Sequence, residues 1–363
     1  MPAKKLIEQI GQFFMIRFSG TEPSSEVERL IKERFVGGVI LFASNLPHIP
    51  RAHEMILRLQ SLAPSLPLCV AVDHEGGRVH RLPKPATRFP PMRRLGKLYE
   101  RLPSSSLALE VGRVMGRELK ALGFDLNFAP VADVDVNPSN PVIGDRSPSS
   151  HEEVVSIVAA QLVRGMQEEG VAACAKHFPG HGDTSEDSHE ALPQLPHNMK
   201  RLRSLELVPF QAAIQQRVAA VMPAHVVYDG VDKGMPATFS VKILRDILRT
   251  ELGFEGLIIS DDLTMGALKT FGTLGERCAK AFLAGCDCLL ALGSLQNVEA
   301  AMDDFAKAVE AGLIPSARVD QAFERIALFK ERFCDDGGEK RPSLKTVGAA
   351  GHKDILNKIK YLT

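Results

Sequence analysis

The sequence carries no net charge, with 44 Lys and Arg facing 44 Asp and Glu across 363 residues. That balance removes the electrostatic term that dominates nucleic-acid binding, and any basic patch must be offset by an acidic one elsewhere. No uninterrupted apolar run approaches the roughly 18 to 20 residues that span a bilayer, so no membrane partner is expected. Lys4 and Lys5 precede an apolar stretch, but Glu8, Gln9 and Gln12 interrupt it and no small-residue cleavage site comes after it. This end reads as mature protein, and a soluble, cytoplasmic chain is expected. The six cysteines, Cys69, Cys174, Cys278, Cys286, Cys288 and Cys334, form no CxxC pair and lie mostly in apolar segments. Buried free thiols are expected rather than a disulfide framework. An apolar content of 45% also excludes disorder and collagen-like repeats.

What is present is an alternating grammar of short apolar runs and helical stretches. Candidate strands are Phe13 to Phe18, Gly38 to Phe42, Leu68 to Val72, Leu126 to Ala129, Ala172 to His177, Ala219 to Met222, Leu257 to Ser260 and Cys288 to Leu292. They are apolar on successive residues, as parallel strands covered on both faces are. Helices fit between them at Ser25 to Arg34, Ile49 to Ser61, Ser106 to Leu122 and His151 to Glu169. They continue at Lys200 to Gln216, Val241 to Leu252, Leu274 to Ala284 and Asn297 to Gly312, with one more at Ala317 to Phe333. Eight such units predict an α/β fold, a single-domain (β/α)8 TIM-type barrel over residues 1–333, with a C-terminal appendage over 334–363. The competing doubly wound dinucleotide fold wants a GxGxxG turn after its first strand, and none is present.

In such a barrel catalytic groups sit at the C-terminal ends of the strands. There the sequence places Asp73-His74-Glu75-Gly76-Gly77-Arg78 and Arg81, then Asp133 and Asp135, then Gly144-Asp145-Arg146-Ser147. Next come Lys176-His177-Phe178-Pro179-Gly180-His181-Gly182 with Asp187-Ser188-His189, then Pro223-Ala224-His225, and Ser260-Asp261-Asp262. Asp73 and Glu75 also have a purely structural reading, as loop caps or in an ion pair with Arg78. Asp261 comes directly after an apolar run, so its carboxylate should point into the barrel mouth while Asp262 points elsewhere or caps a helix. His177, His181 and His189 invite a metal, but Pro179 and its flanking glycines argue against a shared helical face, and neither metal nor cofactor is expected. No GxSxG elbow supports a nucleophilic serine. The remaining candidate chemistry is a carboxylate facing basic and imidazole groups across a sugar-sized mouth. Asp261 can attack an acetal-like carbon, and His189, polarised by Asp187, is a candidate for the proton transfers usually given to a second carboxyl group. Its loop, rich in Gly, Ser and Thr, is of a kind that closes on substrate.

The run Lys176-His177-Phe178-Pro179-Gly180-His181-Gly182, four residues, then Asp187-Ser188-His189 resembles the signature of the β-N-acetylhexosaminidases of glycoside hydrolase family three. The resemblance extends to Val72-Asp73, Glu75-Gly76-Gly77-Arg78, Asn127-Phe128-Ala129-Pro130-Val131, Asn140 to Ser147, Pro223-Ala224-His225 and Ile259-Ser260-Asp261-Asp262-Leu263, in order from about Gly11 to Phe333. It implies a retaining mechanism with Asp261 as nucleophile and His189 with Asp187 as acid/base. Asp73, Arg81, Arg146, Lys176 and His177 fall on positions that hold the sugar, and His181, Asp145 and His225 on positions behind them. β-Glucosidases of the family take their acid/base from a second domain, which a chain of this length does not accommodate. The resemblance further implies a cytoplasmic, exo-acting enzyme that removes N-acetylglucosamine from muropeptides during cell-wall recycling. It is expected as a monomer or weak homodimer with a carbohydrate substrate. A phosphorylase on the same fold, with phosphate in place of water, and a non-catalytic sugar-binding barrel are the alternatives.

Overall fold

The computed structural model describes residues 4–188, 190–334 and 341–362. Ten strands occur along these: β1 (Phe14–Ile16), β2 (Gly38–Leu41), β3 (Cys69–Val72), β4 (Leu126–Asn127), β5 (Ala172–Phe178), β6 (Gln194–Asn198), β7 (Ala220–Pro223), β8 (Val227–Gly230), β9 (Leu257–Ile258) and β10 (Leu289–Leu290). Eight of them form one sheet in the order β10-β1-β2-β3-β4-β5-β7-β9, with every neighbour parallel. A parallel bridge between Ile259 and Cys288 joins the two ends, with the Ser260 N–H donating to the Cys288 carbonyl at 2.9 Å. The sheet is therefore a closed barrel, and the eight expected strands are its eight staves.

Each stave is buried along its length, which is why the sequence shows unbroken apolar runs there rather than alternation. The outer helices bury one stripe each, such as Val27, Leu30 and Ile31 in Ser25–Glu33 and Ala52, Met55, Ile56 and Leu59 in Ile49–Ser61. Their ends are set locally. Ser24 accepts from the Val27 N–H, Thr273 and Glu276 form a reciprocal cap on Leu274–Ala284, and Gly123 ends Leu107–Leu122 at φ 102°. All six cysteines are free and buried. Among the described residues no helix is long and apolar enough to cross a membrane.

The expected helix over Lys200 to Gln216 is two helices, Met199–Ser204 and Leu207–Gln215. Pro209 explains the break, because its ring lacks an N–H and would collide with the carbonyl of Leu205 in a continuous helix. Three helices, Lys4–Gln12, Met92–Arg101 and Ala350–Leu362, add to those expected from the sequence. The last of these packs on Met92–Arg101 and Leu107–Leu122, so much of the expected appendage lies against the barrel's flank. β6 and β8 pair parallel to one another, β8 shortly after β7 and β6 after the long loop that follows β5. The Val227 N–H donates to the Pro193 carbonyl, fastening the segment before β6 to β8.

Candidate active site

The C-terminal mouth of the barrel encloses a pocket of about 350 Å³. Asp73, Glu75, Arg81, Arg146, Lys176, His177, His181, Ser188 and Asp261 line it, with residues from the ends of β1, β2, β7 and β10. A wider groove of about 540 Å³ lies at the opposite end, beside Ala219, Leu257 and Phe333, and holds none of them.

Lys176 is the hub. Its ammonium donates to Asp73 Oδ1 at 2.6 Å and lies 2.7 Å from Glu75 Oε1. Glu75 in turn takes a bidentate fork from Arg146, at 2.9 Å from Nε and 2.8 Å from Nη2. Burial works against the charge on all three. The surrounding ions outweigh it, so the Glu75 carboxyl is held far below the usual range, Arg146 is raised, and Lys176 is raised to about 12. The alternative ion pair of Asp73 or Glu75 with Arg78 is not formed among the described residues. The Arg78 guanidinium donates instead to the carbonyls of Val142 and Ile143.

Lys176 and His177 are adjacent in β5, and strand alternation would send them to opposite faces. A register shift in the β5–β7 pairing between Lys176 and Phe178 lets both line the pocket. The wholly buried Asp133 anchors His177 and His181 together. It accepts from the His177 N–H at 3.0 Å and the His181 N–H at 2.7 Å, and its Oδ2 lies 2.8 Å from His177 Nδ1. Burial alone would raise its carboxyl, but these two histidines bring it below its ordinary value.

Asp261 lies just past β9, with its Oδ1 accepting the Asp262 N–H at 2.7 Å. Burial opposes its ionisation; His225, His177, the Asp262 N–H and Lys176 outweigh it, and its pKa is lowered. Asp262 also lines the pocket, contrary to the alternation argument, because the strand ends at Ile258. Its carboxylate is engaged by the Thr264 N–H and hydroxyl and by the Leu292 N–H, so it organises the loop rather than capping a helix.

His189 lies outside the described residues. Asp187 is half-buried, and its carbonyl accepts from the N–H groups of Glu190 and Ala191 in a tight turn. Ser188 between them lines the pocket, bonded to His181 Nε2 at 3.1 Å and, through its carbonyl, to the Ala267 N–H. Upstream the loop is tied by Tyr228, whose hydroxyl donates to the Gly180 carbonyl, and by Asn140, which donates to the His181 carbonyl at 2.8 Å. Gly182 permits this approach, since a β-carbon there would fall 1.8 Å from the Val134 carbonyl oxygen.

His181 lines the pocket rather than sitting behind it, and His225 is outside its lining. His181 has hydroxyls at both ring nitrogens, and burial with His177 lowers its pKa to about 4. His225 faces Thr238 Oγ1 and the Asp262 carbonyl. Asp145 does not join them; it is exposed on the turn Gly144–Arg146. Arg81 reaches the pocket wall with its Nε buried and without a hydrogen-bond partner among the described residues. Arg17 was not singled out from the sequence, although it comes directly after β1 and the strand-end rule would have found it. Among the described residues one trio of potential metal ligands clusters closely, Cys69, Asp125 and Cys334, and it is not at this mouth.

A closed barrel whose strand ends gather one ionised carboxylate, imidazoles and a fixed cation–carboxylate chain around a sugar-sized pocket is a glycoside hydrolase barrel. The chain belongs to glycosyl hydrolase family 3: residues 5–328 match that family's N-terminal domain. It is 42% identical to a β-hexosaminidase of Neisseria meningitidis serogroup C over 283 residues, 77% of each chain. A family 3 β-N-acetylglucosaminidase from Paenibacillus sp. FPU-7 superposes with a TM-score of 0.92 at 38% identity, covering all of this chain and 69% of that one. NagZ of Neisseria gonorrhoeae, solved with N-trifluoroacetyl-D-glucosamine, superposes with a TM-score of 0.81 at 34% identity over 96% and 97% of the two chains.

Proposed function

We propose that this chain is an exo-acting, retaining β-N-acetylhexosaminidase that releases terminal β-linked N-acetylglucosamine through a covalent glycosyl-enzyme on Asp261. The observation that carries the reading is Asp261 itself, a half-buried carboxylate at the mouth of the barrel whose pKa is lowered by the groups around it. In the first step an Asp261 oxygen bonds to the anomeric carbon as the bond to the leaving oxygen breaks, and His189 gives that oxygen its proton. In the second, His189 takes a proton from water, which attacks the same carbon and frees Asp261. Asp187 holds the imidazole in the orientation and charge state this needs.

Asp73, Lys176, Arg146, Arg81 and His177 bind the sugar. Lys176 is already fixed by Asp73 and Glu75, and Arg146 by Glu75, so hydroxyls meet a surface that need not reorganise. The unpartnered Arg81 Nε supports a polar ligand on that wall. Muropeptides as substrate and the cytoplasm as the working compartment rest on the motif resemblance, and the β-hexosaminidase relatives support the sugar class.

Incubation with a fluorinated N-acetylglucosaminide that slows the second step should add one sugar to the peptide containing Asp261, read by mass spectrometry. The first product seen by NMR should keep the β configuration. An inverted first product, or a label on another residue, overturns the assignment.

A further inference from the structure

At the far end of the barrel a cavity of about 390 Å³ opens between helices Lys242–Glu251 and Ser316–Phe333, beside Gly285. Arg245, Arg249, Arg318 and Arg325 line it, with Thr250 and Gln321, and no carboxylate is among its walls. The acid that meets these arginines is Asp287, buried behind them. Its Oδ2 accepts from Arg249 Nη2 at 2.6 Å and the Ile258 N–H at 3.1 Å. Its Oδ1 accepts from Arg318 Nη2 at 3.1 Å and Arg325 Nη1 at 3.2 Å. One negative charge therefore serves three guanidiniums, and Arg245 adds a fourth on the wall.

Backbone carbonyls of Phe254 and Gly256 accept from Arg249, and those of Phe282 and Cys286 from Arg318, yet one donor of each guanidinium is left over. Arg249 Nε and Arg318 Nη1 are buried with no hydrogen-bond partner among the described residues. Burial, with Arg325 and Arg318 close by, pushes Arg249 down to about 10 even though Asp287 pulls the other way. In a chain of zero net charge, this is a local surplus that a bound anion would offset. Guanidinium forks match the oxygens of phosphate in pairs, and the volume falls in the range of about 300 to 1,000 Å³ that small-molecule sites occupy.

We propose that this cavity binds the phosphate group of a small phosphorylated molecule through Arg245, Arg249, Arg318 and Arg325. The site is separate from the barrel mouth and does not depend on the glycosidase reading. Asp287 and the carbonyls of Phe254, Gly256, Phe282 and Cys286 hold Arg249 and Arg318 in place, while Arg245, exposed, and Arg325, partly exposed, close over the ligand.

The test is calorimetric titration of the full chain with inorganic phosphate and with a hexose 6-phosphate, at ionic strength fixed with chloride. Saturable binding of one equivalent is expected, tighter for the ester. The Arg245→Gln/Arg325→Gln double variant should bind at least tenfold more weakly. Its hydrolysis of an aryl β-N-acetylglucosaminide and its melting temperature without phosphate should remain those of the parent. The single variant Arg245→Gln, at an exposed position, should weaken binding even if the double variant unfolds. Three results overturn the proposal: no binding, equal binding by parent and Arg245→Gln, or phosphate displaced by N-acetylglucosamine, which would put the anion in the barrel mouth.

Discussion

Replacing Glu75 by Gln tests whether the ion chain at the barrel mouth holds the fold as well as the site. The Glu75 side chain is 3% exposed and accepts two bonds from Arg146 and one contact from Lys176. Glutamine keeps the shape but removes the charge and turns one acceptor into a donor, which must face a cation. Asp73, bound to Lys176 alone of the two, is then the remaining acid in the chain. Breaking a buried ion pair costs about 3–5 kcal/mol, and the surviving amide oxygen puts this case near ~3 kcal/mol. A chain of 363 residues unfolds with an entropy of about 0.8 kcal/mol/K, so the melting temperature should fall by about 4 °C. Differential scanning calorimetry reads this directly, and 0.5 M salt should leave the difference standing because the pair is buried. Activity should fall too, since Lys176 and Arg146 lose the group that aims them. A change below about 1 °C, or one that salt abolishes, would refute the assignment of stability to this network.

Asp133→Asn keeps an oxygen for the His177 and His181 N–H groups but sets an amide NH2 against His177 Nδ1, costing about 1–3 kcal/mol, or roughly 5- to 160-fold in kcat/KM on an aryl β-N-acetylglucosaminide. Retention of full activity would show that Asp133 does not position His177. Asp125 is wholly buried, and burial raises its pKa from 3.8 to about 7, against the pull of the Val70 N–H and Lys120. The folded state therefore binds the proton more tightly than the unfolded state, and this residue's contribution to stability falls as pH rises from about 4 to 7. Asp125→Asn should gain melting temperature relative to the parent over that window and level off above it; a gain independent of pH counts against this. Glu118 runs the other way. It accepts from the Thr87 N–H and hydroxyl, the Gly348 N–H and His352 Nδ1, and these outweigh burial to lower its pKa from 4.5. Its stabilisation is present above about pH 4.5 and is lost as pH falls through the lowered value. The protection factors of the amides over 350–362, taken relative to the intrinsic exchange rate at each pH, should therefore fall in acid, and at pH 7 in Glu118→Gln; equal protection throughout would separate this helix from Glu118.

The barrel was legible because its staves are buried on both faces, which leaves unbroken apolar runs that no exposed element imitates. Elements that use polar residues for burial were not. Helix Lys4–Gln12 looked like an interrupted apolar stretch, yet buried Gln9 and Gln12 are satisfied by Asp320 and by the Phe35 carbonyl, partners distant in sequence. β6 offers one apolar buried residue, Leu195, and contains a proline, so it carries no strand pattern. At the site, the residue types were legible and their partners were not. Glu75 lies near Arg78 in sequence, but its partners come from Arg146 and Lys176, 71 and 101 residues on, because parallel strands bring their C-terminal ends together whatever lies between.

The same geometry explains why Asp261 and Asp73 differ in kind although both are carboxylates at strand ends. Asp73 is bound to Lys176, and that bond spends its charge on holding a cation in place. Among the described residues Asp261 has no ion pair; imidazoles, the next N–H and the more distant Lys176 support its charge. A carboxylate bound in a salt bridge must break that bond before it can form another, whereas one steadied by the surrounding field keeps an oxygen available to a carbon. The Lys176–Glu75–Arg146 chain therefore serves Asp261 indirectly. By satisfying Lys176 with two other acids, it keeps the cation near enough to favour ionisation without capping the oxygen that the proposed mechanism uses as nucleophile.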